Sequence, residues 1–301
     1  MASAGRTLAA RVGPVGVWSF ALETLSAIRE REAAQEIEAM GFPALWIPES
    51  IGSKEAMSHA GLLLAATSSL LVATGIASIW ARDPVAMASG ARTLEDAFPG
   101  RFVLGMGVSH RPSVRRRGSP YERPYSRMVR YLDAMERARF SVEGATWPPR
   151  VLAALGPRML SLAAERAAGA HPYFVPVEHT GFARETLGAD PLLAVEQAVV
   201  LGTDAERARR IAREFMADYL ELENYANNLL RLGWKQEELS GGGSDKLVDA
   251  IVAWGDVDAI NHRIREHLDA GADHVCIQVL AEDASDAALP QLRELARAQL
   301  S

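Results

Sequence analysis

Two stretches at opposite ends of the chain carry the same joint: Met40-Gly41-Phe42-Pro43-Ala44-Leu45-Trp46-Ile47 and Ala270-Gly271-Ala272-Asp273-His274-Val275-Cys276-Ile277. In each, a helical pattern runs into a glycine, and a short apolar run follows. Glycine accepts the left-handed conformation that ends a helix, so each joint reads as a helix turning back into a strand. Working outward, the same alternation fills the chain. Strands are expected at Val15–Ser19, Ala44–Pro48, Leu71–Ala77, Arg101–Gly107, Arg150–Ala154, His171–Val175, Leu192–Val199 and His274–Val279. They are mostly apolar throughout, as strands covered on both faces must be. Helices are expected at Leu25–Met40, Pro84–Phe98, Pro157–Ala168 and Asp256–Ala270. Asp83 before Pro84 is a start signal, because a side-chain acceptor at the cap and a missing N–H at the first position both suit a helix.

Eight β-to-α units suit a closed (β/α)8 barrel of the TIM type, with an open doubly wound sheet as the alternative. A chain of 301 residues with 49% hydrophobic content can fill such a barrel as one domain spanning residues 1–301. Two insertions are expected at its mouth: Ser109 to Arg127 after strand four, and a helical excursion from Thr203 to Gly255 after strand seven. Loops at the C-terminal ends of barrel strands build active sites, so a lid or substrate wall belongs there.

Composition excludes several classes of function. The single cysteine, Cys276, leaves no disulfide framework and no zinc site of several thiolates. No other set of side chains has metal-ligand spacing, so no metal is expected. A net charge of −6 disfavours nucleic acid as partner. Residues 60–81 carry no charge, but Thr67-Ser68-Ser69 divides them into helix, turn and strand, not a membrane span. The N-terminal residues show no signal-peptide core. The expectation is a cytoplasmic protein acting on a small molecule.

Candidate site residues cluster at strand ends. Strand four ends Leu104-Gly105-Met106-Gly107-Val108-Ser109-His110. Its alternate glycines share one side of the strand and either bare the backbone to a flat ring or relieve crowding in the barrel. His110 follows, where an acid or base reaches a bound substrate; the plainer reading is a solvated loop histidine. Strand two ends in Glu49 and Ser50, a carboxylate suited to catalysis or to capping a helix. Strand three contains Thr74-Gly75-Ile76-Ala77, whose glycine suggests a bulge or a close ligand. Strand five ends Ala154-Leu155-Gly156-Pro157-Arg158, a helix start that suits a phosphate, with Arg158 adding charge. Arg111, Arg115, Arg116, Arg117, Arg123 and Arg127 crowd the first insertion, either to draw in an anion or to balance nearby acids.

These pieces together resemble the bacterial luciferase-like family, in particular its branch that uses the deazaflavin coenzyme F420. The most specific match is Phe98-Pro99-Gly100-Arg101 entering Leu104-Gly105-Met106-Gly107. The resemblance covers most of the chain and is thin from Thr203 to Gly255. It implies a non-proline cis peptide bond at Gly75–Ile76, forming a bulge beneath the deazaflavin ring among Thr74, Gly75, Ile76 and Ala77. It also implies that Gly105 and Gly107 line the ring. Ala154, Leu155, Gly156, Pro157 and Arg158 would lie near the phosphate, and Glu49 and Ser50 near the ring's polar edge. The dehydrogenases of that branch end strand two in Asp-His, where this chain has Glu49-Ser50. The sugar-phosphate enzymes among them place a glutamate where His110 stands.

The expectation is hydride transfer between coenzyme F420 and an unidentified small substrate, with His110 and Glu49 as the catalytic pair and a homodimer as the assembly. A monooxygenase using flavin mononucleotide and a non-catalytic cofactor-binding barrel are the alternatives.

Overall fold

The computed structural model describes residues 3–283 and 285–299. Its strands are β1 (Val15–Trp18), β2 (Ala44–Ile47), β3 (Leu71–Thr74), β4 (Ala77–Ser78), β5 (Phe102–Gly107), β6 (Arg150–Leu152), β7 (Gly169–Ala170), β8 (Leu192–Leu201), β9 (Val252–Gly255) and β10 (His274–Val279). They pair in parallel in the order β1-β2-β3-β5-β6-β7-β8-β10, and β10 returns to β1, closing an eight-stranded TIM-type barrel. β4 continues the β3 side along the upper half of β5, and β9 pairs with the upper half of β8.

The strands are apolar on both faces because each face meets a core. Trp18, Trp46, Ala73, Val103, Val151, Leu192, Ala194 and Cys276 fill the barrel interior. Val17, Leu45, Val72, Leu104, Val195 and Ile277 point outward to the helices. Both helix-to-strand joints take the expected conformation: Gly41 and Gly271 have φ of 92° and 106°. The Asp83 carboxylate accepts from the N–H groups of Val85 and Ala86, fixing the start of helix Pro84–Ala97.

Two expected strands and one expected helical stretch are corrected. The run Leu71–Ala77 is two strands, because the chain leaves the ladder after Thr74 and rejoins it at Ala77. The sixth strand is Gly169–Ala170, not His171–Val175. Pro172 has no N–H for a ladder, and Phe174 turns away with φ 57°. β9 lies inside the stretch expected to be a wholly helical excursion. That stretch otherwise holds helices Ala205–Leu220, Glu223–Arg231 and Asp245–Ile251. After β5 come a short helix, Arg111–Arg116, and the longer Pro124–Glu136. No helix among the described residues is long and apolar enough to cross a membrane.

Candidate functional site

The mouth of the barrel gathers the ends of β1, β3, β5, β7, β8 and β10. Between β3 and β4 the Gly75–Ile76 peptide bond is cis. The bare side of Gly75 faces two side chains from other strands. A Cβ built there would lie 2.7 Å from the Trp18 indole nitrogen and 3.2 Å from His171 Nε2. Both nitrogens are buried and lack a hydrogen-bond partner. His171 Nδ1 lies 2.9 Å from the Ala194 carbonyl, which can only accept, so Nδ1 carries the proton and Nε2 is the free acceptor. An unpartnered donor and an unpartnered acceptor therefore meet at the bulge. Buried polar atoms in that condition mark a place for a bound polar group.

The two glycines of β5 differ from one another. A Cβ on Gly105 would overlap the Thr74 carbonyl oxygen, and the Thr74 hydroxyl bonds both the N–H and the C=O of Gly105. The missing side chain of Gly105 lets β3 and β5 approach. Gly107 faces the Ile76 side chain and the Ala153 methyl.

His110 follows Ser109, whose φ of 55° re-aims the chain as it leaves β5. Its Nδ1 is 3.0 Å from Asn224 Oδ1, and its ring centre is 5.3 Å from that of Tyr225. As oriented, the asparagine oxygen accepts, so Nδ1 holds the proton and Nε2 offers a lone pair. Burial lowers the His110 pKa from its ordinary value, partly offset by the hydrogen bond to Asn224. The imidazole is neutral at pH 7. Asn224 and Tyr225 belong to helix Glu223–Arg231, far along the chain and not among the residues that the sequence alone singles out.

Glu49 is engaged by several neighbours, the N–H of Ala56 at the start of helix Ala56–Ala66 among them at 3.5 Å. Its carboxylate pairs with both terminal nitrogens of Arg82, accepts from the Ser78 N–H at 2.8 Å, and is 3% exposed. These contacts tie the β2 end to β4. Ser50 is tied down as well, its N–H donating to Glu23 at 2.8 Å. Glu49, Ser50, Lys54, Glu55, Arg82 and Arg117 line a mixed-charge cleft of about 460 Å³ beside the mouth.

At the end of β6, Gly156 caps helix Pro157–Arg166 with no side-chain cap. Arg231 approaches it: one guanidinium nitrogen lies 3.4 Å from where a Gly156 Cβ would be, and another donates to the Leu155 carbonyl at 3.1 Å. Arg158 is exposed and stacks over the Tyr125 ring at 4.2 Å. Two arginines at a helix N-terminus are complementary to a phosphate. His179 donates from Nε2 to the Leu155 carbonyl at 2.9 Å, and burial lowers its pKa to about 4, so it is a structural donor. Of the insertion arginines, Arg111 pairs with Glu223, while Arg115, Arg116, Arg117 and Arg123 have no carboxylate partner among the described residues.

The opposite wall is aromatic. Tyr173, Phe174, Tyr219 and Tyr225 stack with ring centres 5.1–6.2 Å apart, and Trp18 joins them 5.1 Å from Tyr173. Glu196 of β8 lies beneath them, 2% exposed.

The family model of luciferase-like monooxygenases matches residues 15–274. A 5,10-methylenetetrahydromethanopterin reductase of Archaeoglobus fulgidus is 26% identical over 79% of this chain and 85% of its own. Among solved structures, the coenzyme F420-dependent tetrahydromethanopterin reductase from Methanopyrus kandleri superposes with a TM-score of 0.73 at 17% identity, covering 97% of this chain and 100% of that one. The oxygenating constituent of 3,6-diketocamphane monooxygenase from Pseudomonas putida, in complex with FMN, gives 0.70 at 15% identity, over 95% and 96%. Both superpositions bear on the fold alone.

Proposed function

This chain belongs to the luciferase-like monooxygenase family, and from that premise we propose that it is an oxidoreductase moving a hydride between a deazaflavin of the coenzyme F420 type and a small organic substrate. The observation that carries the choice of deazaflavin is the strip Arg115, Arg116, Arg117 and Arg123, unpaired with any carboxylate among the described residues beside the mouth. It suits the anionic tail of linked glutamates that distinguishes this coenzyme from flavin mononucleotide. The phosphate shared by both cofactors suits Gly156, Arg158 and Arg231. The bulge at Gly75 and Ile76, with Gly107 opposite, suits the ring.

When bound, the deazaflavin supplies the hydride chemistry, and the protein's part is to orient, enclose and manage the proton. Trp18 Nε1 donates and His171 Nε2 accepts toward whatever polar group settles against Gly75. His110, neutral and with Nε2 free, takes the substrate proton in the oxidative direction and returns it in the other. Glu49 holds Arg82 and β4 in place beneath the bulge. A homodimer would use helices Ala27–Ala39 and Ala56–Ala66, where Ile28 and Leu62 are 62% and 41% exposed; sedimentation at micromolar concentration tests it.

The deciding experiment is a fluorescence titration with coenzyme F420 and, separately, flavin mononucleotide. Micromolar or tighter binding of the deazaflavin alone is expected. Preference for flavin mononucleotide moves the assignment to a monooxygenase, and binding of neither leaves a barrel without this cofactor. In the same assay, Arg158→Ala and Arg231→Ala should each weaken binding by about three- to tenfold, the scale of one charge-assisted contact. Replacing Arg115, Arg116 and Arg123 together by Gln should weaken the deazaflavin, and less so flavin mononucleotide. Equal loss for both ligands would remove the argument from the tail.

A further inference from the structure

Residues 137–149 join helix Pro124–Glu136 to β6, so they lie at the N-terminal ends of the strands, on the face opposite the mouth. The loop turns at Gly144, where φ is 74°. Trp147 is 39% exposed, whereas the other five tryptophans are buried or half-buried. Val142, on the same loop, is 45% exposed. One exposed apolar side chain is ordinary on a protein surface, but two on one short loop form a patch. The loop is held in this shape from beneath. The Arg92 guanidinium, on helix Pro84–Ala97, lies 4.7 Å from the Phe140 ring centre and 5.1 Å from that of Trp147. It also donates to the Ala145 carbonyl at 3.0 Å. With its base fixed, the loop loses little further freedom when its outer side chains dock.

Cations surround the patch. Arg137 and Arg139 open the loop, and Arg130 lies two turns before Arg137 on the same side of its helix. All three are exposed and have no carboxylate partner among the described residues. Glu136, beside them, is already engaged by Arg150 and Arg166, and Asp133 by Arg166. The exposed acids of these elements are Glu143 at the loop tip and Asp96 at the end of helix Pro84–Ala97. Arg92, Arg130, Arg137 and Arg139 outweigh them, so this edge is positive on a chain whose net charge is −6.

We propose that this loop docks the protein on an anionic lipid surface, with Trp147 and Val142 entering the headgroup layer and Arg130, Arg137 and Arg139 against the lipid phosphates. Tryptophan settles at a membrane–water interface because its ring is apolar and its N–H polar. Basic side chains beside it are drawn to an anionic leaflet over about one Debye length, and apolar burial and charge then act together. The charges also exclude a second copy of this chain as the occupant. A twofold contact centred on the loop would set its arginines against their own copies. Docked this way, the mouth faces water, so the substrate is taken from solution and not from the bilayer.

The test sediments the full chain with vesicles of equal parts phosphatidylglycerol and phosphatidylcholine, and separately with phosphatidylcholine alone. The protein should pellet with the first and not the second, and about 0.5 M salt should release it. Arg137→Gln combined with Arg139→Gln should weaken the partition by about tenfold or more. Val142→Ser, which removes no side-chain contact within the loop, should weaken it by about two- to threefold, and Trp147→Ser by about tenfold. If Trp147→Ser fails to fold, the arginine and Val142 variants still decide the matter. The basic strip at the mouth is the rival site, so replacing Arg115, Arg116 and Arg123 together by Gln should leave the partition within about twofold of native. Partition lost in that triple variant but kept in the Arg137 and Arg139 variant overturns the proposal. Failure to pellet with the anionic vesicles overturns it as well and returns the loop to a protein partner.

Discussion

Gly105→Ala should yield no stably folded barrel, with a loss of at least about 4 kcal/mol read as the shift in urea unfolding or as failure to accumulate soluble protein. The added methyl would overlap the Thr74 carbonyl oxygen and sit 3.0 Å from its carbon. Neither atom belongs to a flexible side chain that can swing aside. Relief therefore means separating β3 from β5, which also breaks the two hydrogen bonds of the Thr74 hydroxyl to Gly105. Thr74→Val, which removes only the hydroxyl and leaves the Gly105 groups short of a partner, should cost about 1–3 kcal/mol. Gly118→Ala is the control. Gly118 has φ 76° but nothing within 4 Å of its Cβ position, so the cost is backbone strain alone, about 1 kcal/mol. Equal stability of the Gly105 and Gly118 variants would mean the two strands are not held as close as they stand here.

That contrast shows what the sequence discloses and what it withholds. Gly105 and Gly107 are visible as a pair, and their spacing puts them on one side of a strand. Nothing local says that one meets backbone and the other a side chain, because the answer lies in the neighbouring strand and its bulge. The barrel itself is legible, since the helix-to-strand joints at Gly41 and Gly271, the cap at Asp83 and the doubly apolar strands each rest on local chemistry. The cis bond at Gly75 is legible only through the family resemblance. Glu49 stands out at the right strand end, but its role does not, because its partner Arg82 comes from the far side of β4. Glu196 sits in a run, Leu192–Val199, that otherwise reads as buried strand. A signal exists there: a carboxylate in a strand covered on both faces must be paired or neutral, and no charge nearby in sequence pairs with it. Asn224, Tyr225 and Arg231 are beyond reach for a different reason. They lie in the excursion after β8, whose helices read as amphipathic without saying which surface they cover.

His110→Ala should lower turnover by about two to four orders of magnitude, the usual share of a positioned acid–base group, with the cofactor dissociation constant unchanged within about threefold. The split follows from position. His110 leaves the β5 end toward Asn224 and Tyr225, on the aromatic side of the mouth, whereas the groups suited to the phosphate lie at the end of β6. Turnover should be measured with any substrate the native protein accepts, in the direction that removes a proton from it. The pH profile supplies the sign. Burial lowers the His110 pKa, so the free base that catalysis needs persists below pH 6.5 and is lost only in more acidic solution. The acidic limb of the native profile should therefore lie below the ordinary histidine value and vanish in His110→Ala. Asn224→Leu separates orientation from mere bulk. It removes the partner that fixes the Nδ1–H tautomer and that raises the pKa, so turnover should fall by about tenfold while the acidic limb moves further down. A histidine present only to pack against Tyr225 would leave both the limb and the turnover where they were, and unchanged turnover in His110→Ala would take His110 out of the proton's path.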